Sequence, residues 1–180
     1  AMTVASRSMV ASGSMISKIY FPRMIVPLAS VMSSVVDFFI GFVILIGMML
    51  FYHITPTIAT LWLPLLILLA LVTALGIGFW ASALMVRYRD VGYIMPFLSS
   101  LWTYITPVVY PASMIPEKWR VLYALNPMTG VVEGFRYALL GSTSSLSLPM
   151  ILASSGIAIL ILISGLFYFR RMEKQFADMI

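Results

Sequence analysis

Cysteine is absent from this chain of 180 residues, which excludes disulfides and thiolate metal sites. Histidine occurs once, at His53, so no histidine cluster can form. Charge is scarce: 9% of residues are charged, against about 25% in a soluble domain. At this length a soluble chain would form one domain, but its surface would lack charge. A bilayer removes that need, because lipid solvates the outer face. Catalytic signatures are missing too. The stretch Gly13–Lys18 reads GSMISK and lacks the second glycine of a phosphate-binding loop, so nucleotide is not expected to bind in that way. There is no HExxH, and the six acids are scattered over separate loops and one apolar stretch, which gives a paired-carboxylate hydrolase little support. No enzyme activity and no bound metal are expected. The start, Ala1 to Ser17, is rich in serine and small residues and has no compact apolar core of a signal peptide.

What is abundant is apolar: 62% of the chain, concentrated in four stretches. A spanning helix needs about 20 mostly apolar residues. The first stretch runs from about Met24 to Tyr52, the second from about Leu61 to Val86, the third from about Val91 to Ile105, and the fourth from about Leu148 to Phe169. The third is short. If all four cross, Arg7, Lys18, Arg23, Arg87, Arg89, Arg170, Arg171 and Lys174 fall on one side. Lys118, Arg120 and Arg136 fall on the other, beside Glu117 and Glu133. The positive-inside rule makes the first side cytoplasmic and leaves both termini there. The net charge of +5 is therefore a topology signal, and nucleic acid is not an expected partner. The fold class is an all-α integral membrane protein with four transmembrane helices.

Within the spans, Asp37 interrupts the first stretch. A carboxylate at that depth is costly and marks a functional site by default. Two readings stand: a residue facing a wet cavity or a cation on another helix, or a helix-to-helix hydrogen bond or interfacial position. Ala70, Ala74, Gly78 and Ser82 share one face of the second span. Such a stripe lets helices approach closely, as a sliding or a static contact. His53, at the outer end of the first span, reads as an interfacial histidine.

The segment 108–147 lies outside and is too apolar for an ordinary loop. Pro107 and Pro111 break the third helix near its outer end. Pro116 and Glu117 suit the first turn of a new helix, on which Trp119, Leu122 and Tyr123 share a face. Asn126 can cap a further helix that begins at Pro127, presents Val131, Phe135 and Ala138, and stops at Gly141. Each is too short to cross, so the pair is read as re-entrant or interfacial. Glu133 and Arg136, three apart, form a local ion pair: a latch if half-buried, a solvated pair if not. Trp102, Tyr104, Tyr110, Trp119, Tyr123 and Tyr137 gather at this end. They read as an interfacial belt or as stacking surfaces along a glycan path. Before the first span, Met15, Ile16, Ile19 and Tyr20 fall on one helical face that ends at Pro22, fit to lie on lipid or dock into a partner.

Four ordered runs then carry a resemblance: SKIYFPRMIVPLASV (Ser17–Val31), MVRYRDVGYIMPFL (Met85–Leu98), TPVVYPASMIP (Thr106–Pro116) and LNPMTGVVEGFRYALLG (Leu125–Gly141). Together they resemble type-2 ABC exporter permeases of the polysaccharide and polyol phosphate export branch, the membrane subunits of O-antigen, capsule and teichoic acid exporters. The resemblance implies a coupling helix at Met15–Arg23, including Met15, Ile16 and Ile19, that docks into an ATPase subunit, with Lys18, Tyr20, Phe21, Pro22 and Arg23 matching its motif. It implies a cytoplasmic turn at Arg87, Tyr88, Arg89 and Asp90. It implies external gate helices at 116–126 and 127–140, with Tyr104, Pro107, Tyr110, Trp119, Glu133, Arg136 and Tyr137 along the gate or glycan path. In the family two permeases pair above two ATPase subunits, and a lipid-linked glycan passes between them. A homodimer in the bacterial inner membrane is implied, with ATP and magnesium held by the partner ATPase and no cofactor in this chain. The implied organisation is 1–23 linker and coupling helix, spans at 24–52, 61–86, 91–107 and 148–169, external helices at 108–147, and a cytoplasmic tail at 170–180. These would be family spans three to six, without the interface helix and first two spans. The alternatives are a type-2 permease for a drug or lipid, and a truncated, non-transporting membrane scaffold.

Overall fold

The computed structural model describes residues 1–11, 22–54, 58–110, 114, 116–141 and 148–173. Every regular element among them is helical: α1 (Met2–Ala11), α2 (Ile25–Phe51), a 3-10 turn (Ile58–Trp62), α3 (Leu63–Arg87), α4 (Val91–Ile105), α5 (Glu117–Ala124), α6 (Pro127–Leu140) and α7 (Leu148–Glu173). The all-α expectation holds. Three helices are long and apolar enough to cross a membrane: Ile25–Phe51, Ile58–Arg87 and Pro149–Glu173. The expected third span, α4, has 15 residues, about 22 Å of helix, against a hydrocarbon core of about 30 Å.

Two boundaries differ from expectation. The serine-rich start is a helix rather than a linker. Its serines do not compete with helical structure from outside, because Ser6 and Ser8 donate back to the Thr3 and Ala5 carbonyls at 2.9 and 2.7 Å. That satisfies their hydroxyls and lets Ala5 and Met9 pack at 0% exposure. The last helix runs on to Glu173, so Arg170 and Arg171 form its final turn rather than a tail. Cations there complement the helix dipole. At the end of α2, His53 adopts φ 54°. Its N–H donates to the Leu50 carbonyl, and the Ile54 N–H donates to Met49. This is a Schellman stop with histidine where glycine is usual.

The chain divides into two compact units. The first comprises Ala1–Val36, Val72–Leu101 and Ile159–Ile180. Its core is Met9, Phe79, Ala83, Val86, Phe169 and Met172. Helices α3 and α7 meet there at two glycines. A Cβ on Gly76 would stand 2.7 Å from the Leu162 backbone nitrogen, and one on Gly165 would stand 2.5 Å from the Gly76 carbonyl oxygen. Close backbone approach of this kind drives helix association in lipid, where apolar burial gives no net attraction. Trp80 stacks on Tyr168 at 4.2 Å beside this seam, and its indole N–H donates to Ser164 Oγ at 3.1 Å. Gly78, from the expected stripe, serves a different contact: a Cβ there would be 3.2 Å from Ala5 Cβ and 3.2 Å from Val31 Cγ2.

The second unit comprises Asp37–Leu71 and Trp102–Ala158. Leu63, Leu66 and Ala138 form its core, with Phe42, Phe135 and Leu139 against them. Gly134 admits Leu66: a Cβ there would overlap the leucine tip at 2.5 Å. Thr60 Oγ1 donates to the Ala138 carbonyl at 3.2 Å, tying the 3-10 turn to α6.

Candidate functional site

The second unit carries the short helix pair. Pro116 stands at the N-cap of α5, so Glu117, not Pro116, opens the helix. Helix α6 starts and stops where its sequence directs. Asn126 caps it, accepting from the Met128 N–H at 3.1 Å, with Pro127 at the first helical position and Gly141 closing it at φ 76°. Asn126 does more than cap. Buried to 8% exposure, its amide donates to Thr106 Oγ1 at 2.9 Å, and Thr106 donates on to the Trp102 carbonyl at 2.9 Å. The start of α6 is thereby fixed to the end of α4.

A second tie runs through Arg136. It pairs with Glu133, and the two side chains are 21% and 16% exposed. That is too buried for a solvated surface pair. Its other nitrogen donates to the Pro107 and Val108 carbonyls, at 3.3 Å each. Those carbonyls follow the last turn of α4 and lack continuing helix to receive them. Charge-assisted bonds of this kind contribute about 1.5–3 kcal/mol.

Beside α5 lies an open-sided cavity of about 420 Å³, lined by Tyr110, Met114, Pro116, Trp119 and Tyr123. The Tyr110 and Tyr123 hydroxyls meet at 3.1 Å, and Tyr110 also donates to the Tyr104 carbonyl at 3.1 Å. The contact with Tyr123 holds the Tyr110 hydroxyl above the ordinary tyrosine range, and burial and the charge Tyr123 would carry add to it. Aromatic walls with hydroxyls at one edge suit a ring that is apolar on its face and polar at its rim.

The structure thus gathers Tyr104, Pro107, Tyr110, Trp119, Glu133 and Arg136 into one region, and adds Thr106, Met114, Tyr123 and Asn126 to it. Tyr137 is half-buried on α6 and is not among the residues lining the cavity. Asn126 was legible as a cap but not as a brace, because its Thr106 partner lies 20 residues away. Thr129 and Ser154 bury hydroxyls with no hydrogen-bond partner among the described residues. A Cβ on Gly130 would stand 2.5 Å from Ser154 Oγ, so Ser154 packs directly on α6.

In the first unit, Met15, Ile16, Lys18, Ile19, Tyr20 and Phe21 lie outside the described residues. Pro22 precedes the turn into α2, and its carbonyl accepts from the Ile25 N–H at 3.0 Å. Arg23 Nη1 donates to the Glu173 carbonyl at 2.6 Å. Arg87 ends α3, and Arg89 and Asp90 form the exposed turn into α4. The Arg87 guanidinium sits 5.2 Å from the Tyr88 ring centre. Asp37, assigned to the other unit, is the thirteenth of 27 residues in α2 and is exposed. It lies near mid-helix.

Three long apolar helices, with a braced pair of short ones, define a multi-pass membrane protein. The chain belongs to the ABC-2 type transporter family, which matches residues 1–140. It is 26% identical over 174 residues to an O-antigen export system permease protein, RfbA, of Klebsiella pneumoniae, covering 96% of this chain and 66% of that protein. It is 27% identical over 169 residues to an O-antigen export system permease protein of Myxococcus xanthus, covering 92% of this chain and 64% of that one. A shorter likeness, 33% over 54 residues, is to the inner membrane transport permease YadH of Escherichia coli K12, covering 30% of this chain and 21% of YadH. The chain thus spans about two thirds of the length of the O-antigen relatives it matches.

Proposed function

We propose that this chain is membrane-domain sequence of an ABC exporter that moves a lipid-linked polysaccharide across a bacterial inner membrane. ATP hydrolysis in a separate subunit drives it, and the permease works as a homodimer. The observation that carries this reading is the short helix pair α5–α6. It is braced to the end of α4 by Asn126 and Arg136, and α5 lines an open aromatic cavity with Tyr110 and Met114. This occurs in a chain that aligns over 96% of its length with an O-antigen export permease. Helices too short to span must be held by protein if they sit at membrane depth. Such a brace suits a gate that opens and recloses. Tyrosine and tryptophan rings can stack on the apolar face of a sugar, and the tyrosine hydroxyls can meet its rim.

Coupling is assigned to Met15–Arg23 and to the turn Arg87–Asp90, facing the ATPase from the cytoplasm. Magnesium and ATP belong to that partner. The likeness to YadH favours a second reading, a type-2 permease for another cargo, since that name specifies no glycan.

Two measurements test the proposal. Co-purification with the ATPase subunit should succeed and should weaken in Tyr20→Ala; unaltered binding in that variant removes the docking assignment. Disruption of the gene should strip polysaccharide from the cell surface and leave lipid-linked glycan inside. Normal surface polysaccharide would overturn the glycan reading and favour the second cargo class or a non-transporting scaffold.

A further inference from the structure

Pro96 deprives one helical carbonyl of its usual donor. In α4 the carbonyl of Gly92 would accept from the N–H of residue 96, four positions on. That residue is a proline inside the helix and has no N–H to give. The prolines near the starts of the long helices cause no such loss. Pro27, Pro64 and Pro149 fall in the first turns of α2, α3 and α7, where an N–H has no intrahelical acceptor. In a lipid-facing protein a freed carbonyl has to be met from elsewhere.

Here it is met from 85 residues away. Arg7 Nη2, on α1, donates to the Gly92 carbonyl at 3.0 Å. The site is close-fitting: a Cβ on Gly92 would stand 2.6 Å from Met85 Cε and 4.0 Å from Arg7 Nε. Helix α1 is itself held by Ala5 and Met9, so the guanidinium is delivered from a seated element. One turn further along α4, Ser100 Oγ donates to the Pro96 carbonyl at 3.1 Å.

We infer that Arg7 is a positioning residue, whose guanidinium stands in for the missing N–H of residue 96 and ties α1 to α4 one turn before Pro96. Helix α1 leads toward the segment assigned to ATPase docking, and α4 leads toward the braced pair α5–α6. Withdrawal of α1 removes the donor and leaves α4 free to bend at Pro96. Any bearing on export rests on the function proposed above; the hydrogen bond itself does not.

A double-mutant cycle on the full chain in lipid nanodiscs tests this, using Arg7→Gln, Pro96→Ala and the two together. Alanine at 96 restores an N–H, so the Gly92 carbonyl regains its helical partner. Arg7→Gln alone should speed hydrogen exchange of the first turns of α4 about tenfold, the loss of one charge-assisted bond. In the Pro96→Ala background the same change should act less than about twofold. Equal effects in both backgrounds overturn the inference. An isotope-edited infrared band of a labelled Gly92 carbonyl gives a second readout if Arg7→Gln folds poorly. It should shift in Arg7→Lys much less than in Arg7→Gln, and equal shifts would again count against Arg7. In cells, export should fall in Arg7→Gln and recover when Pro96→Ala is added. Coupling in the cycle without any effect on export would overturn the transport role and leave the contact standing.

Discussion

Arginine and tyrosine side chains do much of the long-range joining in this chain, and each does it by reaching a backbone or hydroxyl partner that sequence spacing does not reveal. The Glu133–Arg136 pair is legible from its spacing of three. The reach of the same arginine to the Pro107 and Val108 carbonyls is not, because those lie 29 and 28 residues away. The Tyr110–Tyr123 contact is hidden for the same reason: 13 residues separate two tyrosines in different segments. That contact has a measurable consequence. The hydrogen bond to Tyr123, then burial, raises the Tyr110 pKa. A raised folded-state pKa means that the protonated form is favoured by folding. The contribution is fully present below the ordinary tyrosine value of about 10, and is lost as pH rises through the raised value. At neutral pH the hydroxyl pair is closed. In Tyr123→Phe the first cause disappears, so one tyrosine should titrate earlier, nearer the ordinary value. Ring-carbon NMR of labelled tyrosine during an alkaline titration checks this. An unshifted titration would show that the two hydroxyls do not meet in the membrane protein.

Helix ends are the part of the elements that sequence specifies best, because caps are local chemistry. Asn126, Pro127 and Gly141 set α6 to the residue. Helix seams are specified less well, since a small residue shows where a neighbour could come close and not which neighbour does. The stripe Ala70, Ala74, Gly78, Ser82 is present on α3, yet the closest backbone approach uses Gly76, two residues off that register, against Gly165. A stripe is legible by its four-residue spacing, and a single glycine facing a single glycine has no spacing to read. Gly76→Ala and Gly165→Ala therefore carry a definite expectation. The added methyl in each case meets backbone atoms within 2.7 Å, and backbone cannot rotate away. Each should destabilise the α3–α7 contact by about 1–3 kcal/mol through overpacking. Gly92→Ala serves as a comparison, because its added methyl meets first the flexible tip of Met85. Thermal unfolding in one detergent, followed by tryptophan fluorescence with Trp80 stacked at the seam, should rank the seam variants well below Gly92→Ala. Equal midpoints for all three would mean that the helices do not pack at these glycines.

Whether the whole chain crosses the bilayer three or four times turns on α4. Three helices have the length to cross unaided, and α4, at about 22 Å, does not. A short helix can still cross where protein flanks it and the bilayer thins. The charge distribution is the ground for expecting four crossings. With four, Arg87, Arg89, Arg170 and Arg171 share one side. With three, Arg170 and Arg171 are carried to the side opposite Arg87 and Arg89, against the positive-inside rule. The lack of native cysteine makes the test direct, since one introduced cysteine is the only thiol. Tyr88 and Leu125 are 52% and 55% exposed, one on each side of α4 in the chain. Leu125→Cys should react with an impermeant maleimide added to intact spheroplasts, and Tyr88→Cys should react only after the membrane is opened. If α4 does not cross, both will react under the same condition. The eight cations would then no longer share the cytoplasmic face, and α5–α6 would lie on the same side as the Arg87–Asp90 turn, which leaves no place for an external gate.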